Sequence, residues 1–109
     1  MREWERKHAR FVELCDLEAE AHAELENYDN TKATVIAVAM RAAEAAGYSS
    51  AAAQRREADA SAEYQQWCTE RWAAAKAYHG ARLRRLAAEV WFDMVRSEES
   101  TRRAEMTLT

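Results

Sequence analysis

The 109-residue chain contains no proline and two glycines, Gly47 and Gly80. Glycine and proline punctuate chains into turns, so their scarcity excludes a fold of many short strands. It also leaves no glycine-rich loop to cradle a phosphate. Large aliphatic side chains are few: Leu, Ile, Val and Phe together number 14, against 25 alanines. No run approaches the roughly 20 apolar residues that span a bilayer, and the opening MREWERKHARF lacks the apolar stretch of a signal peptide. The expected location is therefore the cytoplasm. Cys15 and Cys68 are isolated, with no CxxC and no ligand-spaced neighbours, which favours free thiols over a metal or redox pair. His8, His22 and His79 lie far apart with no HExxH, so no catalytic group, metal site or cofactor is expected.

What the chain does have is alanine, glutamate, arginine and glutamine, the composition of long helices with narrow apolar seams. A net charge of -3 is too small to hold the chain disordered. The expected class is all-α, in a single helical domain covering residues 1–109. Apolar residues at three- and four-residue spacing (Trp4, Phe11, Leu14, Leu17 or Glu18, Ala21, Leu25, Tyr28, Val35, Val38, Ala42) describe one side of a helix over about 3–46. Its weak point is ENYDN, residues 26–30, because Asn and Asp favour caps and turns. Continuity through it is expected, since no Gly or Pro is present. At Gly47 the chain turns, and Ser49 or Ser50 can cap a short helix over about 50–58. Ser61 then caps a long helix over about 61–102.

That last helix carries two apolar stripes. One runs Tyr64, Cys68, Trp72, Ala75, His79, Leu83, Leu86, Val90, Met94, and the other includes Trp67, Ala74, Tyr78, Ala81 and Trp91. The first is assigned to the seam with the opening helix, with Trp72 filling a gap between alanines. Gly80, in mid-helix, suggests a close helix–helix approach. The expected architecture is a long antiparallel helical hairpin with a short helix at its turn. Two stripes are more than one partner helix covers, so self-association is expected, with Trp4, Trp67, Trp91, Val90 and Met94 carrying assembly. Trp4 and Trp91 are placed together at the open end.

Charge is uneven. Residues 1–54 hold 6 basic and 10 acidic side chains, whereas residues 55–109 hold 10 and 9. Arg82, Arg84, Arg85, Arg96, Arg102 and Arg103 are the candidates for contacting a phosphate backbone or a protein partner, with aromatic residues near enough to stack on bases. The bland alternative is that these arginines serve the helix dipole and neighbouring glutamates.

The stretches SSAAAQRREADASAEY and AEVWFDMVRSEESTRRAEM resemble a group of small bacteriophage and prophage proteins. The resemblance rests on Ser50, Arg55, Arg56, Glu57, Ala58, Ala60, Tyr64, Glu89, Trp91, Arg96, Ser97, Ser100, Arg102, Arg103, Ala104, Glu105 and Met106. Some members of that group look like recombination mediators, which are helical and oligomeric and load a strand-exchange protein onto single-stranded DNA. The resemblance implies an accessory role in phage DNA recombination or replication inside a bacterial host cell. The implied partners are single-stranded DNA, its recombinase or a single-strand-binding protein. Two other readings stand beside it. One is a protein-only inhibitor or adaptor of a host target, in which Glu18, Glu20, Glu24, Glu26 and Asp29 imitate nucleic acid. The other is a structural assembly component.

Overall fold

The computed structural model describes residues 2–108, which form three helices and no strand: α1 (Glu3–Ala45), α2 (Ala51–Ala60) and α3 (Ala62–Leu108). None of these helices is long and apolar enough to cross a membrane. α1 passes through residues 26–30 without a break, and two polar groups there are used sideways. The Tyr28 carbonyl accepts the Trp67 indole N–H at 3.1 Å and the Thr31 hydroxyl at 3.0 Å, and the Asp29 carboxylate accepts from Arg71 Nε at 2.6 Å. The bond to Arg71 removes the competition that the Asp29 side chain otherwise offers to helical hydrogen bonding.

α1 ends as the sequence leads one to expect. Gly47 has φ +107°, the Tyr48 N–H reaches back to the Ala43 carbonyl at 3.1 Å, and the Gly47 N–H reaches the Glu44 carbonyl at 3.0 Å. This pair of bonds is the Schellman closure, which a side chain at the left-handed position opposes. Gly47→Ala is therefore expected to lower stability by about 1–2 kcal/mol, read from the urea midpoint. An unchanged midpoint would mean that the turn relaxes to another closure.

Two serines set the remaining boundaries. Ser50 Oγ accepts the Ala53 N–H at 3.1 Å, opening α2. Ser61 alone separates α2 from α3: its Oγ donates to the Ala58 carbonyl at 2.7 Å and accepts the Tyr64 N–H at 3.2 Å. One hydroxyl thus closes one helix and caps the next. α3 continues six residues beyond the expected end at 102.

Packing divides the chain into two compact units, residues 20–78, and residues up to Ala19 together with those from His79 onward. In the 20–78 unit, His22 meets Tyr78 and Asp29 meets Arg71, so the α1 and α3 segments run in opposite senses. The core of this unit is Ile36, Ala39 and the fully buried Ala58, with Met40 and Tyr64 packed against it. Trp67, 8% exposed, stacks on Tyr64 with ring centroids 5.7 Å apart. The seam expected at Val38 and Ala42 is displaced by one residue: Ile36, Ala39 and Ala43 are buried, while Val38 and Ala42 are exposed. The cause is α2, which brings Ala58 against the Ile36 side of α1 and draws the buried face toward itself.

In the other unit, Phe11 meets Phe92 edge-on at 5.5 Å and Glu18 meets Arg85, again with opposed senses. Leu14 and Ala81 are buried, and Phe92 and Ala88 are half-buried. The first α3 stripe forms the seam only in part: Tyr64 packs against the core of the 20–78 unit, and Cys68 and Ala75 are half-buried. Trp72 in the 20–78 unit is exposed, with Lys76 Nζ 4.5 Å over its ring; in the other unit Leu83, Val90 and Met94 are 67%, 57% and 57% exposed. The residues facing α1 are Trp67, Ala74 and Tyr78 of the second stripe in one unit, and Ala81, Arg85, Ala88 and Phe92 in the other, of which the expected second stripe holds only Ala81, while its Trp91 is exposed. The expected seam is corrected at Trp72, Leu83, Val90 and Met94, which lie outside. Ala74 and Ala81 allow close approach, and the bulky Trp72, Leu83, Val90 and Met94 are left outside.

Gly80 serves no close approach to α1. A Cβ placed there would meet only the Arg84 guanidinium, at 3.5 Å, an ordinary contact. Gly80→Ala is expected to raise stability by about 1 kcal/mol, the difference in helix propensity. A fall in the thermal midpoint would refute this.

Candidate functional site

The surface of interest lies in the unit formed by the start of α1 and the C-terminal part of α3. Phe11–Phe92 and Glu18–Arg85 fix the register of the two segments, in which residue 4 falls level with about residue 99. α3 runs on past the first turn of α1, and every residue from 93 to 108 is exposed.

Near this end, Trp4, Phe11, Trp91, Phe92 and Val95 line an open cleft of about 790 Å³, and Arg96, Arg103, Glu89, Asp93 and Glu99 stand around it. Its wall is built by stacking: the Trp91 and Phe92 ring centroids lie 5.0 Å apart at 80°, and Lys7 Nζ sits 4.4 Å over the Trp91 ring. That cation covers one face of Trp91. Trp4 and Trp91 thus share a cleft, while Trp67 lies in the interior of the 20–78 unit.

The six candidate arginines are not one stripe. Arg85 is a brace: its Nε and Nη2 donate to Glu18 at 2.5 and 3.1 Å, and its Nη1 donates to Glu89 at 2.7 Å. The hydrogen bonds to Glu18 hold its pKa above the ordinary arginine value, with partial burial opposing them. Arg96 donates to Asp93 at 2.7 Å. Arg82, Arg84, Arg102 and Arg103 are exposed and have no carboxylate partner within ion-pair distance among the described residues. Arg84 and Arg102, five turns apart, lie along one line of α3, with Arg82 on the opposite flank and Arg103 toward the cleft.

The acidic stretch is likewise partly committed. Glu18 pairs with Arg85, Asp29 with Arg71 at 2.6 Å, and Glu26 lies 3.6 Å from His22. Cys15 and Cys68 are free and half-buried. No group of three His, Cys, Asp or Glu side chains among the described residues is placed to hold a metal ion.

Sequence reading places Arg85 and Glu89 at helical spacing on one side but misses Phe92 and the Glu18 half of the Glu18–Arg85–Glu89 brace. The signal was present: 74, 78, 81, 85, 88 and 92 form an unbroken three-and-four series, and an arginine in it conceals that the line is the seam. Compared with protein-family models, curated proteins and solved structures, the chain gives no match.

Proposed function

We propose that the chain is a non-catalytic, self-associating accessory protein of phage DNA recombination or replication, of the mediator-like type. In this reading its assembled form engages single-stranded DNA together with the recombinase or single-strand-binding protein that acts on it. The observation that carries the reading is on α3, where arginines without carboxylate partners (Arg82, Arg84, Arg102, Arg103) flank exposed apolar and aromatic side chains. A phosphate chain is bound by such cations and its bases by such rings. The net charge of -3 makes one chain a weak binder; an oligomer multiplies the sites, so avidity replaces single-site affinity.

The test is a titration of labelled single-stranded oligonucleotide at several salt concentrations. Binding is expected to weaken steeply with salt, and Arg102→Ala with Arg103→Ala is expected to reduce the slope by about 0.7 for each phosphate that is no longer neutralised. No shift at low salt and high protein concentration would overturn the DNA-binding part.

A protein-only adaptor is the second reading, favoured by the cleft. Trp4, Phe11, Trp91 and Phe92 inside a rim of both charge signs suit an amphipathic peptide better than a uniformly negative strand. Recovery of the same partners with and without nuclease treatment would favour it. Nucleic-acid imitation by the acidic stretch is weakened as a route, because Glu18 and Asp29 are engaged within the fold.

A further inference from the structure

The apolar face of α3 between His79 and Met94 has a charge pattern that selects one way of pairing with a copy of itself. We infer that two copies associate through this face, with their α3 helices antiparallel and the two-fold axis between residues 84 and 85. This rests on the self-association in the proposed function and specifies its interface.

His79, Leu83, Leu86 and Val90 follow one another at spacings of four, three and four, the spacing of a coiled-coil seam, and Met94 lies one turn further along the same face. Leu83, Val90 and Met94 are each more than half exposed. On the helix they point about 180° away from Ala81 and Phe92, which face α1. A second copy therefore docks without displacing α1.

Charge decides orientation. Arg82 and Glu89 lie on the same shoulder of this face, seven residues apart. Arg82 has no carboxylate partner among the described residues, while Glu89 turns one oxygen, Oε2, to Arg85 and stays exposed. In antiparallel pairing the same shoulders of the two helices face each other. With the axis between residues 84 and 85, Arg82 of each copy stands opposite Glu89 of the other. Leu83 then packs on Leu86 of the second copy, and His79 on its Val90, each contact occurring twice. On the far shoulder Gly80 faces Ala87, and neither holds the helices apart.

The competing arrangements lack this match. A one-heptad shift of the antiparallel pair in either direction puts Arg82 opposite Arg82 or Glu89 opposite Glu89. Parallel pairing sets Arg82 beside Ala87 and Glu89 beside Met94, with no charge partner. Like charges across such a seam reject a register, and opposite charges specify one.

The test uses the full chain in sedimentation equilibrium. Arg82→Glu is expected to weaken self-association by about tenfold or more, since it turns two attractive pairs repulsive. Glu89→Lys is expected to weaken it similarly, and the double reversal in one chain to restore it. Circular dichroism of each variant confirms that the helices persist. Disulfide trapping reads the geometry independently, in a chain with Cys15→Ser and Cys68→Ser. His79→Cys with Val90→Cys is expected to give a covalent dimer. Val90→Cys alone is expected to give none, because the two copies of that position lie about 16 Å apart along the axis at ~1.5 Å per residue. Efficient trapping by Val90→Cys alone, or association indifferent to both charge reversals, overturns the inference while leaving self-association intact. A wild-type chain that stays monomeric overturns both.

Discussion

Trp67→Ala is expected to lower the stability of the folded chain by about 3–5 kcal/mol, the range for deleting a well-buried aromatic side chain. Trp67 is 8% exposed, stacks on Tyr64, and donates its indole N–H to the Tyr28 carbonyl. It therefore joins α1 to α3 by area, by ring contact and by a directed bond. Alanine at this position leaves a void between helices whose other buried side chains are mostly small. Collapse cannot fill it cheaply, because Ile36, Ala39 and Ala58 are already in contact. The urea midpoint of the variant should fall with little change in slope. A loss below about 1 kcal/mol would mean that Trp67 is not a packing keystone of its unit. Trp67→Phe separates the contributions: most of the area is retained, and the loss of the indole donor is expected to cost only about 1 kcal/mol.

The second large effect is expected at Arg85. Arg85→Ala removes three hydrogen bonds at once and takes the guanidinium from Glu18 in a half-buried setting. Removing one member of such a pair is more damaging than replacing both by apolar groups, because the remaining charge keeps its desolvation penalty. The expected order of thermal midpoints is wild type, then Arg85→Lys, then Arg85→Ala. Lysine keeps the charge but cannot present the two-pronged donor that reaches Glu18 and Glu89 together. Arg85→Met combined with Glu18→Leu is expected to recover most of what Arg85→Ala loses. If Arg85→Ala instead leaves the midpoint unchanged and weakens DNA binding alone, Arg85 is a ligand contact and not a brace. This contrast matters for function, because sequence position alone groups Arg85 with Arg82 and Arg84.

These expectations show where the sequence was readable. The three helices follow from local chemistry: the absence of proline, Gly47 at a left-handed turn, and Ser50 and Ser61 as caps. Each acts over a few residues, so each is visible without knowing what lies beside it. The continuity of α1 through residues 26–30 was arguable only because no glycine or proline stood there. Its confirmation came from Asp29 and Tyr28 finding partners on α3.

The faces of α3 were a different matter. Its sequence carries two lines of apolar residues, and size makes Trp72, Leu83, Val90 and Met94 look like core. The line that faces α1 is instead Trp67, Ala74 and Tyr78 in one unit and Ala81, Ala88 and Phe92 in the other, with Arg85 among them; Trp67, Ala74 and Ala81 are buried and the rest half-buried. Burial between helices depends on how closely two backbones approach, and alanine permits an approach that leucine on the same face prevents. Periodicity states that a face exists without stating which face wins. The candidate arginines suffered the same ambiguity, since helical spacing alone does not say which of them meet a carboxylate from α1.

What the sequence by itself determined is therefore everything that depends on near neighbours: an all-helical chain, the position of its turn, the caps, and the presence of an unusual second apolar face. What only the tertiary structure decided is which groups are used internally. It assigned Trp67 to the interior and Phe92 to a half-buried place against α1, withdrew Arg85, Glu18 and Asp29 into ion pairs, and left Leu83, Val90 and Met94 with Arg82 on the outside. The physical reason is that a residue's type fixes what it can bond to or pack against, while its partner is fixed by chain segments tens of residues away.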